Sequence, residues 1–288
     1  MKKVFKFLGW VLLIILVIGA TIFVVAWKSP KYYTLKTAPA QSSIIPFKQY
    51  QPGHARPFVV TGPQVVIFGA EHTRNPSDSQ LVLLQNQWDK LGPTVALVEG
   101  RLGFLLPCLM NPVAELGEGG KVAQLAKNAG IPLYNWDLSK EALAEGLQAY
   151  FTKEQVALYQ ILNPYFSQLR FGKPADEAAY LAPYFKRAAF VGLQDSIQTV
   201  ADIDRMWKKH FTAIDWRNVS DETALPGYLA EIMAVTNDLR NRQLVAAVKE
   251  LTAKGERVFV VCGSSHAVCV APSFNSRAIS FWIVQMAL

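Results

Sequence analysis

Two short stretches share one pattern. Gly69-Ala70-Glu71-His72 and Gly263-Ser264-Ser265-His266 each set a glycine three positions before a histidine, just after an apolar, β-branched run. Glu99 and Asp137 close two further runs of the same kind. Two imidazoles and one or two carboxylates are the side chains that hold a divalent metal beside a water. His72, Glu99 and His266 are the candidate ligands. The same set suits general-base hydrolysis without a metal, and the residue types fit both. An ionised carboxylate such as Glu99, following an apolar run, needs a partner, which favours a site. Plainer roles exist for single residues: a histidine at a strand end is often only a hydrogen-bonded structural group. Asp137 reads equally as a cap for a helix opening at Ser139-Lys140-Glu141. His54 sits in a Pro-rich stretch and His210 follows Lys208-Lys209, so neither joins the pattern, and Glu71 is either support for His72 or exposed.

These residues need a frame that brings strand ends together. Gln64–Phe68, Thr94–Val98, Ile131–Trp136 and Arg257–Cys262 read as buried strands. Between them, Ser77 and Gln80 have the spacing of a capping box for a helix running to Leu91 before Gly92-Pro93, and a second helix covers Lys121 to Ala129. Strand, helix, strand, helix, strand predicts an α/β fold with a mostly parallel sheet and flanking helices. In such a sheet ligands bind beyond the carboxyl ends of the strands, where His72, Glu99, Asp137 and His266 would share one side. Residues 139 to 221 are helix-like, with breaks at Asn163-Pro164, Lys173-Pro174 and Ala182-Pro183, and read as a helical insertion. Its aromatics, among them Tyr159, Tyr165, Phe166 and Phe171, fit core packing more simply than a substrate groove. On the helix Leu229 to Lys254, Asn237 and Asn241 fall within the apolar arc of Met233, Leu244, Val248 and Leu251, with Arg240 at its edge. Buried polar groups need partners, so these either knit helix to sheet or orient Glu99 or a substrate oxyanion.

The chain has 288 residues, 51% of them hydrophobic and 18% charged, which excludes a disordered chain. Phe7 to Trp27 carries no charge and is of membrane-spanning length. It predicts an N-terminal transmembrane helix over 1–27. Lys2, Lys3 and Lys6 before it put the N-terminus in the cytoplasm and the body on the extracytoplasmic side, in a single-pass arrangement. The exit Val24-Val25-Ala26-Trp27-Lys28-Ser29 lacks a small-x-small cleavage site, favouring a retained anchor. Six prolines over residues 28–63 read as an extended tether, with the folded unit over 64–288. The net charge of +7 falls to +4 once residues 1–27 are set aside, and no basic run, zinc-finger spacing or phosphate loop follows them, so nucleic acid is not an expected partner. Cys108, Cys262 and Cys269 form no CxxC pair, and Cys262 reads as a buried thiol.

Taken in order, Gly69-x-x-His72, the strand-end Glu99, Gly130-Ile131-Pro132 to Asp137, Arg240-Asn241 and Gly263-x-x-His266 resemble the TraB, pheromone-shutdown and Tiki group. That group has more distant kinship to erythromycin esterases and ChaN-like haem-binding lipoproteins. The resemblance covers about Gln64 to Asp137 and Leu229 to Val270. It implies an α/β fold with a duplicated strand and GxxH arrangement. In the Tiki branch it implies metal-dependent proteolysis by a membrane-tethered enzyme, in the esterase branch a histidine general base with water as nucleophile, and in the ChaN branch haem binding.

The leading expectation is a membrane-anchored extracytoplasmic hydrolase cleaving a peptide or ester bond. His72 and His266 serve as metal ligands or base, Glu99 as ligand or water-orienting carboxylate, and Arg240 stabilises developing negative charge, with Asp137 and Asn241 contacting substrate. The rival is a non-catalytic protein that binds or sequesters haem, a peptide pheromone or another small ligand. A third reading keeps the histidines as structural ties between sheet and helix.

Overall fold

The computed structural model describes residues 10–17, 19, 26–36, 42–106, 109–221, 224–274 and 278–280. The chain divides into two compact units: Met1–Ala38, Gln51–Asp137 and Ala246–Leu288 form the first, and Pro39–Tyr50 with Leu138–Val245 the second.

The first unit is built on a six-stranded sheet of β1 (Phe58–Thr61), β2 (Val65–Ala70), β3 (Val95–Val98), β4 (Leu133–Asn135), β5 (Val258–Gly263) and β6 (Ala278–Ser280). Their order is β4-β3-β5-β2-β1-β6. The pairs β2–β5, β3–β5 and β3–β4 are parallel, while β1 runs antiparallel to both β2 and β6. β2, β3 and β5 are buried along their whole length, as expected for near-continuous Val, Ile, Leu and Phe runs in a parallel sheet covered on both faces. Register sets the faces: Phe68 pairs with Val261 and Ala70 with Gly263, so these share one face, while Gly69 pairs with Cys262 on the other. The first face packs in one apolar cluster with Leu84 and Trp88 of α2 (Gln80–Leu91) and Val122 and Ala126 of α3 (Pro112–Ala129). Gly69, on the opposite face, lies against α9 (Ser264–Val270): a Cβ there would stand 2.5 Å from that of Ala267 and 2.9 Å from Ser264 Cα.

Several expectations need correcting. The sheet takes in Phe58–Thr61, which composition assigned to a tether, because Phe58, Val59 and Val60 are buried against their neighbours. Trp27, placed at the end of the anchor, is buried in the sheet's apolar cluster, and its N–H donates to Leu105 O at 2.8 Å. Beyond it, Asn135 N donates to Lys31 O and Tyr33 N to Asn135 O, so this segment lies along β4. Tyr33 Oη and Lys254 Nζ both donate to Glu250 Oε1, at 2.8 and 2.6 Å, fastening the segment to the end of α8 (Tyr228–Ala253). Residues 10–17 are helical (α1) with exposed apolar side chains. Among the described residues no helix is long and apolar enough to cross a membrane, and 1–9, 18 and 20–25 of the expected span lie outside those residues. The Ser77–Gln80 capping box does not form. The helix starts after Ser79, and the Gln80 side chain is used elsewhere.

The second unit is helical: α4 (Lys140–Leu147), α5 (Lys153–Gln168), α6 (Glu177–Phe185), α7 (Val200–His210) and residues 228–245 of α8 surround one apolar cluster. It runs past the expected boundary at 221 and includes residues 39–50. Capping boxes at Thr152 with Gln155 and at Thr199 with Asp202 open α5 and α7. Pro164 and Pro183, read as breaks, lie inside α5 and α6. Packing of Ile161, Leu162, Phe166 and Leu181 into the cluster outweighs the local proline penalty. Tyr159, Tyr165 and Phe166 are core residues, whereas Phe171 is exposed.

Candidate functional site

β3, β5 and β2 lie side by side and parallel, with β4 next to β3, so their carboxyl ends deliver Glu99, Gly263, Glu71-His72 and Trp136-Asp137 to one edge of the first unit. Gly263 N–H donates to Glu99 Oε2 at 2.7 Å, and Glu99 Oε1 lies 3.6 Å from His266 Nε2. A Cβ on Gly263 would stand 3.3 Å from His72 Nε2 and 3.7 Å from Glu99 Oε2. The absent side chain leaves a cradle at the Gly263 backbone, on which an imidazole nitrogen and a carboxylate oxygen close.

His72 is backed by a residue the sequence reading did not single out. Its Nδ1 lies 2.7 Å from Glu118 Oε1, and Thr73 N–H approaches the other oxygen at 3.4 Å. A carboxylate at Nδ1 fixes the tautomer with the proton there and leaves Nε2 as a lone-pair acceptor facing the cradle. The imidazole is largely exposed while Glu118 is nearly buried, so the pair presents one open nitrogen on a covered support. Glu118 reaches this place through a backbone break within α3: Gly117 has φ 65° and ψ −155°, and a Cβ on it would stand 3.0 Å from Thr73 O. At Gly120 a Cβ would come within 2.0 Å of Pro112 O. The signal was present as an acid bracketed by Gly117, Gly119 and Gly120, an unusual density for a helix. It lay in turns that the predicted helix, starting near Lys121, left out.

The loop carrying His72 is held by Gln80. Its Nε2 donates to Glu71 O at 2.8 Å and its Oε1 accepts from Glu71 N–H at 3.1 Å, a side-chain copy of a strand rung that prolongs β2 by one residue. Asp78 in turn accepts from Gln80 N–H and Nε2. Burial pushes the Asp78 carboxyl up, but the bonds from Gln80 and Thr73 outweigh it and hold the group below the usual carboxylate range. Glu71 itself contributes through its backbone.

His266 sits differently. It lies in the first turn of α9, buried, with its ring edge-on to Trp136 at 5.4 Å between centroids. Trp136, fully buried, donates from Nε1 to Val261 O at 3.3 Å and so ties the end of β4 to β5. Asp137 is buried, and its N–H donates to Asn135 Oδ1 at 2.9 Å. The cap of α4 is Ser139, whose Oγ accepts from Ala142 N–H, so Asp137 is not used for capping.

Arg240 and Asn241 belong to the second unit. Arg240 Nη1 donates to Asn237 Oδ1 at 3.3 Å, and Asn237 Nδ2 to Met233 O at 3.0 Å, while Asn241 is wholly buried. Near them the Tyr159 hydroxyl is pushed up to about 12 by burial, against the opposing pull of Thr236 and Arg240. Cys262 and Cys269 are buried thiols, and Cys108 lies outside the described residues. Among the described residues no group of three or more His, Cys, Asp or Glu side chains is placed to hold a metal ion. Comparisons with family models, curated proteins and solved structures gave no match.

Proposed function

We propose that the strand-end cluster is the site of a hydrolase, cleaving a peptide or ester bond and held to a membrane by the N-terminal apolar segment on its extracytoplasmic side. The observation that carries this reading is the Glu118–His72 pair, with Nε2 directed at the cradle beside Gly263 and Glu99. His72 Nε2 takes a proton from a water in the cradle, and Glu118 steadies the imidazolium that forms. Glu99, fixed by the Gly263 N–H, orients that water. The His72 imidazolium then returns that proton to the leaving group as the scissile bond breaks, while His266, with Nε2 3.6 Å from Glu99 Oε1, helps to fix that carboxylate. Arg240 is assigned to the developing negative charge, and Asp137 and Asn241 to substrate, as their residue types and positions in the sequence suggest.

A metal-assisted version rests on the residue types alone, since among the described residues these side chains are not gathered into a metal-holding group. His72 Nε2, His266 Nε2 and Glu99 are the groups that would hold a divalent ion, which on binding would lower the pKa of its water toward neutrality. Purified full-length protein in detergent, screened against ester and peptide panels with and without added zinc or manganese, tests both forms. Turnover abolished by His72→Ala supports the site. Dependence on metal, with metal content lost in His72→Ala and His266→Ala alike, selects the metal form. Stoichiometric retention of haem or a peptide without turnover would replace the hydrolase with a binding protein.

A further inference from the structure

Within the first unit, a cleft of about 430 Å³, the size of a small-molecule site, lies between the first two turns of α2 and the α3 residues Pro112, Val113, Lys121 and Gln124. Leu81 of α2 and Val113 of α3, both buried, contribute its apolar lining. Its rim, Pro76-Ser77-Asp78, belongs to the loop that carries His72. Pro76 follows that histidine by four residues, which places the rim within about 14 Å of it. Lys121 lines the cleft from α3, one helical turn beyond Glu118, the residue that backs His72. The cleft is therefore built from the same two pieces of chain as the His72–Glu118 pair.

The polar lining is rich in uncommitted donors. Lys121 is half-buried and forms no ion pair or hydrogen bond with any described residue, and the Gln124 side chain forms none either. Asn111 spends its Oδ1 on Val113 N–H and Ala114 N–H, which leaves its Nδ2 hydrogens to spare, and the Ser77 hydroxyl is likewise uncommitted among the described residues. The one acid in the described lining is Asp78, and both of its oxygens already accept from Gln80. Lys48, Lys209 and Lys254, by contrast, each meet a glutamate. An ammonium partly withdrawn from water with no carboxylate opposite it is an unbalanced charge. The neutral N–H and O–H donors around it are those an oxyanion needs to complete its hydrogen bonds.

We propose that this cleft binds a small molecule through a carboxylate or phosphate group, with Lys121 as counter-ion and Asn111, Gln124 and Ser77 as neutral donors. In turnover that group is carried by the substrate whose scissile bond reaches His72. The second statement rests on the hydrolase reading, and the first does not. Isotope-labelled full-length protein in detergent would be titrated with inorganic phosphate, glutarate and neutral glutaramide, following the methyl signals of Leu81, Val82 and Val113. The expected result is a saturable shift with phosphate or with glutarate, whichever oxyanion the cleft takes, and none with glutaramide. Lys121→Gln should need at least about ten times the anion for half-saturation, with binding regained in Lys121→Arg and unchanged in Lys249→Gln, on an exposed part of α8. No saturable shift with either anion, an equal shift with glutaramide, or binding indifferent to Lys121→Gln would overturn the anion site. In turnover, the kcat/KM preference for a carboxylate-bearing ester over its neutral counterpart should fall by a similar factor in Lys121→Gln. An unchanged preference would take the substrate out of the cleft and leave the anion site standing. Anion shifts in a protein without turnover would overturn the hydrolase alone.

Discussion

The two Gly-x-x-His copies look alike in sequence and do opposite work. Gly69 is a packing glycine: a Cβ there would strike Ala267 Cβ, Phe58 O and Ser264 Cα, all within 2.9 Å. Gly263 is the glycine of the proposed site, the nearest atoms to a Cβ there belonging to His72 and Glu99. The cause is one rung of register. Gly69 pairs with Cys262 and Ala70 with Gly263, so the glycines fall on opposite faces of the sheet. The histidines diverge to match, His72 open and backed by a carboxylate, His266 buried against Trp136. A repeated motif thus reports repeated topology, and the environment assigns the chemistry.

Substituting each histidine separates the copies most sharply. His72→Ala is expected to reduce turnover by about 10²–10⁴-fold while stability falls by only about 1 kcal/mol, its side chain being largely exposed but its loss leaving the nearly buried Glu118 carboxylate with the long contact from Thr73 N–H. His266→Ala empties a buried position beside Trp136 and should cost about 2–4 kcal/mol in denaturant unfolding. Equal loss of stability in both would erase the distinction.

The glycines give the next contrast. Gly69→Ala should destabilise by about 1–3 kcal/mol, because the obstructing atoms are mostly backbone. Gly263→Ala should fold with near-native stability, its φ of −61° being open to alanine, yet lose activity by filling the cradle. A smaller change is expected from Glu118→Gln, about 10–100-fold in activity, with His72 losing its preference for the Nδ1–H tautomer in ¹⁵N NMR. A tautomer unchanged by that substitution would remove Glu118 from the account.

The mildest effect concerns the docked segment before β1. The bond from Lys254 is the main reason the Glu250 carboxyl lies at about 2, with Lys36 N–H and the Tyr33 hydroxyl adding to it against the effect of burial. A carboxyl depressed in the folded state contributes stability that is complete above its unfolded value near 4.5 and is lost as pH falls toward 2. Amide exchange at Lys36, corrected for intrinsic rate, should therefore lose protection over that interval in the wild type, with Glu250→Gln showing no such step.

β2 to β5 and the edge they present were legible because each lies in a short apolar run ending in a residue able to do chemistry, at Glu99, Asp137 and the two GxxH turns, whereas β1 and β6 were not. Glu118 was not, since its role depends on a kink at Gly117 that brings a helix residue beside a strand end distant in sequence. Phe58–Thr61 and Trp27–Lys36 were hidden by proline-rich composition, which describes local stiffness and says nothing of the tertiary partners that dock those segments. Pro164 and Pro183 misled in the same way, as burial of their helices outweighs local preference.

The most direct test of the Glu118–His72 pair as a hydrolytic centre is the rate of ester and peptide cleavage by full-length wild-type and His72→Ala protein, read beside their melting temperatures. Turnover is expected in the wild type, with a loss of at least about 10²-fold in a variant that melts within about 5 °C of it. Equal rates in the two proteins, or no cleavage by the wild type across the panel, would contradict it.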